Sequence, residues 1–263
     1  LVYCFRGGKR SQLWLTILES VGYRVEKMDG GWKNYRRWVN EQLSTVPPQY
    51  HYKILCGPTG CGKTRLLYAL QAAGAQVLDL EELANHRGSV LGEVPGEKQP
   101  TQKYFDSLLL NKLSAFDPKK PIWVEAESKK IGNVQLPDAL LETMRNNQTS
   151  QTIMIETALE QRVQLSREDY PHFEEDHVLM FKRLAFLKPL VGNKEFAAWE
   201  ALAEQNAIPT LLEQLMHNHY DPTYRKSILR NYPKIDASPS IALSDLSPAG
   251  LLTVAKNMCA KFS

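Results

Sequence analysis

The sequence predicts an α/β protein whose centre is a parallel sheet, and three observations predict it. Between residues 52 and 157, apolar segments of strand length alternate with helix-length segments, the pattern of βαβ units. The run Gly57-Pro58-Thr59-Gly60-Cys61-Gly62-Lys63-Thr64 stands between one such strand and its helix and matches the G-x-x-x-x-G-K-[ST] phosphate loop. From 158 to 263 the pattern turns mainly helical, as an extension of the same domain.

The elements follow in order. Leu1 to Cys4 is a short apolar run, expected as a strand, that ends in a Gly-rich loop. Ser11 stands where a helix N-cap belongs, ahead of Leu13, Trp14, Ile17 and Leu18 at helical spacing. Val25 to Met28 reads as a second strand, stopped by Asp29-Gly30-Gly31, and Trp32 to Leu43 as a helix. Residues 1–46 thus make one α/β unit. Residues 47–51, where Pro47 and Pro48 break the pattern, read as a linker. The phosphate-loop core then takes 52–157, with strands at Tyr52 to Cys56, Gln76 to Leu78, Ile122 to Glu125 and Thr152 to Glu156. Its helices are expected at Lys63 to Ala73, Gln102 to Phe116 and Asp138 to Arg145. Further helices are expected at Leu159 to Arg167, His172 to Leu187, Lys194 to Gln205 and Thr210 to His219.

Composition narrows the class. Hydrophobic residues at 43% and charged residues at 23% are those of a globular protein, and no apolar run approaches the ~18 residues of a membrane span. Cys4, Cys56, Cys61 and Cys259 show neither disulfide nor zinc spacing, so they read as reduced thiols of a cytoplasmic protein. A chain that opens on Leu1, inside an apolar run and without Met, reads as a fragment lacking its natural N-terminus. The net charge of +3 is uneven: residues 1–46 hold eight Lys/Arg against four acids, leaving the rest near neutral. An anionic substrate or nucleic acid at that end would suit it, as would a solvated basic face.

The phosphate loop carries the strongest chemistry. Its glycines let backbone N–H groups converge on phosphate oxygens, the helix N-terminus adds partial positive charge, and Lys63 is a point charge for the terminal phosphates. Thr64 can hold Mg²⁺, and a partner acid should end a nearby strand. Trp123-Val124-Glu125-Ala126-Glu127 supplies it: Glu125 is placed to hold Mg²⁺ or act as a base. The loop alone leaves ATP, GTP or another diphosphate open. Cys61 within it reads as a spectator, and Cys56 and Cys259 as small core hydrophobes.

Cys4-Phe5-Arg6-Gly7-Gly8-Lys9-Arg10-Ser11 forms a second anion loop of the C-x₅-R-[ST] type. A bowl of N–H groups closed by Arg10 should lower the Cys4 pKa and make its thiolate a nucleophile. Cysteine phosphatases and rhodanese-type sulfurtransferases both use such loops. Tyr3, where a tyrosine phosphatase has His, and the Val25-to-Trp32 strand and Gly-Gly turn favour sulfur or selenium transfer.

The order of these motifs resembles one family, the tRNA 2-selenouridine synthases, or tRNA 2-thiouridine geranyl and selenium transferases. Cys4 to Ser11, Gly30 to Arg36, the phosphate loop, Leu83 to Ser89, Gln99 to Gln102 with Phe105, and Trp123 to Glu125 carry the resemblance, over residues 1 to about 230. Phe5 stands where the family pattern has Trp. The resemblance implies that 1–46 is the C-terminal part of a rhodanese-like domain fused to a phosphate-loop domain. It implies replacement of sulfur by selenium in wobble 2-thiouridine of bacterial tRNA, with geranyl diphosphate and selenophosphate as co-substrates. Cys4, Arg6, Arg10 and Glu125 would be catalytic, and His86, Arg87 and Ser89 would contact the diphosphate or the tRNA. RNA contacts are also expected at Lys129-Lys130, Lys182-Arg183 and Tyr224-Arg225-Lys226. The rival function is a P-loop small-molecule kinase or nucleotide-dependent switch with a rhodanese-like binding module.

Overall fold

The structure, a computed structural model, describes residues 1–262 apart from 89–91, 93–95, 147, 149 and 172–176. Its centre is a five-stranded sheet in the order β2-β3-β1-β6-β7, with every neighbouring pair parallel. The strands are β1 (Tyr52–Cys56), β2 (Gln76–Leu78), β3 (Ile122–Glu125), β6 (Ser150–Glu156) and β7 (Ser240–Ala242), and β4 (Lys130–Ile131) and β5 (Val134–Gln135) form a small antiparallel hairpin. The α/β class read from the sequence is the class observed.

Alternation along the central strands sorts the core into two layers, because successive side chains point to opposite faces. Tyr52, Ile54 and Cys56 of β1, with Ile122 and Val124 of β3, face a cluster completed by α2 (Gly31–Thr45), α5 (Gln102–Ser114) and α6 (Asp138–Arg145). Leu55 and Trp123 face the other side. There they meet Leu66, Leu67 and Leu70 of α3 (Lys63–Ala72) and Leu251, Ala255 and Met258 of α13 (Pro248–Phe262). A third cluster, separate from the sheet, joins α8 (His177–Leu184), α10 (Asn193–Glu204) and α11 (Ile208–Leu215) around the buried Trp199 and Leu211. The remaining helices are α1 (Lys9–Ser20), α4 (Leu80–Ala84), α7 (Leu159–Asp169), α9 (Lys188–Val191) and α12 (Asp221–Asn231).

Four expectations need correction. The two N-terminal strands reduce to a single parallel bridge, Val2 to Lys27, in which the Val2 N–H donates to Glu26 O at 2.7 Å and the Met28 N–H to Val2 O at 3.0 Å. Apolar composition alone does not make a strand without a ladder to join. Ser11 is not the N-cap: α1 starts at Lys9 after Gly8, and the Ser11 hydroxyl donates back to Gly8 O at 3.0 Å. The linker is not loose chain. Pro47–Gln49 forms a 3₁₀ turn with Pro47 buried, Tyr50 donates to Leu113 O at 2.6 Å, and Val39 and Leu43 before it lie in the sheet's own core. Within the mainly helical C-terminal part, β7 adds the fifth strand and α13 packs on α3. The helix expected to run through His219 stops at Leu215, passes through a π-helical turn at Met216–Tyr220 and continues as α12. The start of the helix expected from His172 lies outside the described residues.

Candidate functional site

The sheet order places a topological switch at β1, the position where open α/β sheets bind ligands beyond their strand ends. Leu55 of β1 pairs with Glu125 of β3, so the strand-end acid lies beside the start of the phosphate loop. The Thr64 hydroxyl donates to Glu125 Oε1 at 2.7 Å, bringing together two residues 61 positions apart. Lys63 Nζ donates to Gly57 O at 2.9 Å and Pro58 O at 3.3 Å and lies 3.8 Å from Cys61 Sγ. Burial opposes its charge, but its acidic neighbours, Glu125 among them, more than offset this and hold Lys63 protonated.

The loop opens into a cavity of about 710 Å³. Glu125 there is 7% exposed. Its carboxyl is pushed up by burial and drawn back by Lys63 and the Thr64 hydroxyl. Glu127, on the same wall, is raised by burial and then by Glu125, and Glu81 by burial and then by both. His86 and Arg87 also line the cavity. The Arg87 guanidinium donates to Asp169 O and lies 5.1 Å from the centre of the Tyr170 ring. Ser89 lies outside the described residues. Gly88, at φ +62°, runs over the carboxylates so closely that a Cβ there would meet Glu81 Oε1 at 2.3 Å.

Three residues that sequence reasoning missed hold this site. Tyr224, expected only as an RNA contact, accepts the Gly57 N–H at 2.6 Å and lies beneath Lys63, 5.9 Å from ring centre to Nζ. Arg162, 5% exposed, donates to Thr59 O at 2.9 Å and grips Asp221 with both terminal nitrogens at 2.9 and 2.6 Å. Asp221, at the start of α12, closes that brace. All these contacts cross at least 59 positions, and no local pattern signals them. His219 also lines the cavity, and Lys129 pairs with Asp138 at 2.6 Å, both side chains exposed.

The cysteine loop is built differently. The α2 N-terminus ties it down: the Trp32 N–H donates to Cys4 O at 3.0 Å and the Lys33 N–H to Phe5 O at 2.9 Å. Gly31, at φ +60°, is the point of contact, where a Cβ would lie 2.0 Å from Cys4 O. Cys4 is half-buried, with Sγ 3.4 Å from the Ser11 hydroxyl. That hydroxyl, and then the N–H groups of Ser11, Arg6 and Gly8, lower its pKa to about 6. The N–H bowl is therefore present, while the side chains of Arg6 and Arg10 are exposed and the causes just named are hydrogen bonds rather than guanidinium charge. Cys61 and Cys56, by contrast, are pushed up by burial, Cys56 to about 12.

A parallel sheet with this strand order, a phosphate loop leaving its central strand and a Thr-bonded acid ending the next define a P-loop protein. Its site suits a phosphorylated ligand. Residues 50–187 match the family model described as the tRNA 2-selenouridine synthase AAA domain. The chain is 30% identical over 264 residues to the tRNA 2-selenouridine synthase of Hydrogenovibrio crunogenus, covering 90% of this chain and 71% of that one. With the Alcanivorax borkumensis protein of the same name it shares 40% identity over 172 residues, 64% of this chain and 45% of that one. The chain belongs to the tRNA 2-selenouridine synthase family. Among solved structures, a gluconokinase from Sinorhizobium meliloti aligns at 10% identity over 81% of this chain and 98% of its own, with a TM-score of 0.29, too loose to inform function. No helix among the described residues is long and apolar enough to cross a membrane.

Proposed function

We propose that this chain modifies tRNA by exchanging sulfur for selenium in wobble 2-thiouridine, using geranyl diphosphate and selenophosphate as co-substrates. The observation that supports it is the presence, in one member of this family, of two anion loops of opposite character: a buried phosphate loop and a basic loop around an acidic thiol. In the first step the thiouridine sulfur attacks C1 of the geranyl group and the C1–O bond breaks. Charge then develops on the departing diphosphate, where Lys63, the N-terminus of α3 and loop N–H groups other than those of Gly57 and Cys61 receive it. Thr64 and Glu125 have the hard oxygen donors that Mg²⁺ takes, and Mg²⁺ bound there would neutralise diphosphate charge. In the second step the selenium of selenophosphate attacks C2 of S-geranyl-thiouridine and geranyl thiol leaves as the C2–S bond breaks. The Cys4 thiolate, available near neutral pH, then takes the phosphoryl group as the Se–P bond breaks and water releases it as phosphate, while Arg6 and Arg10 offset the phosphate charge. His86 and Arg87 contact the diphosphate or the tRNA from the far wall of the cavity.

Mass spectrometry of nucleosides from treated tRNA tests the division of labour. Lys63→Ala should abolish S-geranyl-thiouridine, and Cys4→Ser should keep it but yield no selenouridine, since an alkoxide is not populated near neutral pH. Geranylation by the Lys63 variant, or loss of both products with Cys4→Ser, sinks the reading. The Thr64–Glu125 contact equally suits a Mg-nucleotide, which favours a small-molecule kinase as second reading. Competitive titration of geranyl diphosphate against ATP separates the two.

A further inference from the structure

The π-helical turn Met216–Tyr220, between α11 and α12, belongs to a segment fastened to the phosphate loop at three points. Met216 lies against Gly60, where a Cβ would meet its Cε at 3.3 Å. Asp221, the first residue after the turn, is tied through Arg162 to Thr59 O, and Tyr224 accepts the Gly57 N–H. Between these anchors sit His219 and Tyr220, and both line the cavity. A π-turn widens the helical repeat and recurs at functional sites.

The Tyr220 hydroxyl is buried and finds no hydrogen-bond partner among the described residues. Such a group costs free energy unless a ligand or water answers it. Burial raises its pKa, so it stays an O–H donor. His219 stands edge-on to it, with ring centres 5.2 Å apart. Burial lowers the His219 pKa, so near neutral pH the imidazole is uncharged and has a nitrogen free to accept. The turn therefore offers the cavity an acceptor and a donor as neighbours.

Alkylation of 2-thiouridine makes a matching demand. When the sulfur gains a carbon, the ring stays neutral only by losing its N3 proton, and N3–H lies beside the acceptor O4 on the base edge. The carboxyls of the cavity do not meet that demand. Glu81 and Glu127 are raised by burial, Glu127 to about 8, and keep their own protons near neutral pH, while Glu125 is bonded to Thr64. We propose that His219 and Tyr220 receive the uracil edge of the acceptor tRNA, with Tyr220 donating to O4 and His219 taking the N3 proton as the S–C1 bond forms. The C1–O electron pair leaves with the diphosphate, the N3–H pair becomes the C2=N3 bond, and His219 passes its proton to water. The assignment rests on the geranyl diphosphate reading and adds the acceptor side to it.

The test measures geranyl transfer to 2-thiouridine tRNA by the whole chain, at saturating geranyl diphosphate and varied tRNA. His219→Ala should lower kcat about 100-fold, and added imidazole should restore it, which a structural role would not allow. Tyr220→Phe removes no bond within the described protein, so it should melt with wild type while KM for tRNA rises about fivefold. Should His219→Ala fail to fold, His219→Gln keeps an acceptor without a base and should lose kcat with KM unchanged. If wild type transfers geranyl, the assignment is overturned, and the geranyl diphosphate reading stands, when imidazole leaves His219→Ala unrestored, His219→Gln keeps wild-type kcat or Tyr220→Phe keeps wild-type KM. If wild type transfers none, both fall.

Discussion

The loop after Cys4 and the loop after Cys56 both lead from an extended segment into a helix N-terminus, and both turn backbone N–H groups inward. What surrounds them differs. β1 is hydrogen-bonded on both edges, by β3 and β6, and α3 buries Leu66, Leu67 and Leu70 against it. The segment before Cys4 has one bridge, and α1 buries Ser11 alone while Leu13, Trp14 and Ile17 stand exposed. A loop sunk in a core keeps its thiols protonated and its lysine charged through low dielectric and fixed neighbours. A loop at the surface instead leaves its thiol to local hydrogen bonds, which favour the thiolate. The same local motif thus yields a phosphate cradle in one place and a nucleophile in the other.

The contrast can be broken at several points, beginning with the largest effect. Leu66→Ala removes a fully buried side chain beneath the phosphate loop and should cost about 2–5 kcal/mol in urea denaturation. Arg36→Ala cuts the tie between α2 and α5, where Arg36 donates to Asp106 at 2.5 Å with both side chains 12% exposed. It should cost about 1–3 kcal/mol, chiefly because the largely buried Asp106 keeps only the Gln102 amide as a side-chain donor, at 2.7 Å, and Asp106→Asn should cost less.

Labelling sharpens the comparison between the thiols. With its pKa lowered to about 6, Cys4 is mostly thiolate above that pH. Its alkylation by iodoacetamide should rise with pH and be half-maximal near pH 6, read by peptide mass spectrometry. Cys56 and Cys61, raised by burial, should stay unlabelled at neutral pH in the folded chain. Ser11→Ala should move the Cys4 inflection upward, because the hydroxyl is the largest cause of the shift. The smallest effect belongs to Trp14→Ala on the exposed face of α1, which should change stability by no more than about 0.5 kcal/mol. A larger loss there would mean α1 has a covered face in solution and would erase the contrast.

Part of this molecule was legible before any coordinates. The boundaries of β1, α6 and β3 agree with those read from the pattern, and the phosphate loop sits where its motif put it, because strand, glycine turn and helix are all local features. Glu125 was legible too, as an acid ending an apolar strand. Glu81 was not, since an acid in the first turn of a helix is ordinary macrodipole chemistry. Arg162, Asp221 and Tyr224 were not legible either, because each acts on residues far away in the chain.

The sequence by itself determined the α/β class, the two anion loops and the residue types each presents, since these depend on periodicity and on contacts within a few positions. Only the tertiary structure decided which residues meet. It turned a proline-marked linker into core and returned β7 and α13 to the sheet after the long helical excursion. It also brought Glu81 and Glu127 to Glu125 and set Tyr224 against Gly57. The physical reason is that burial, and the charge interactions strengthened by burial, belong to neighbours in space, which a pattern along the chain does not encode.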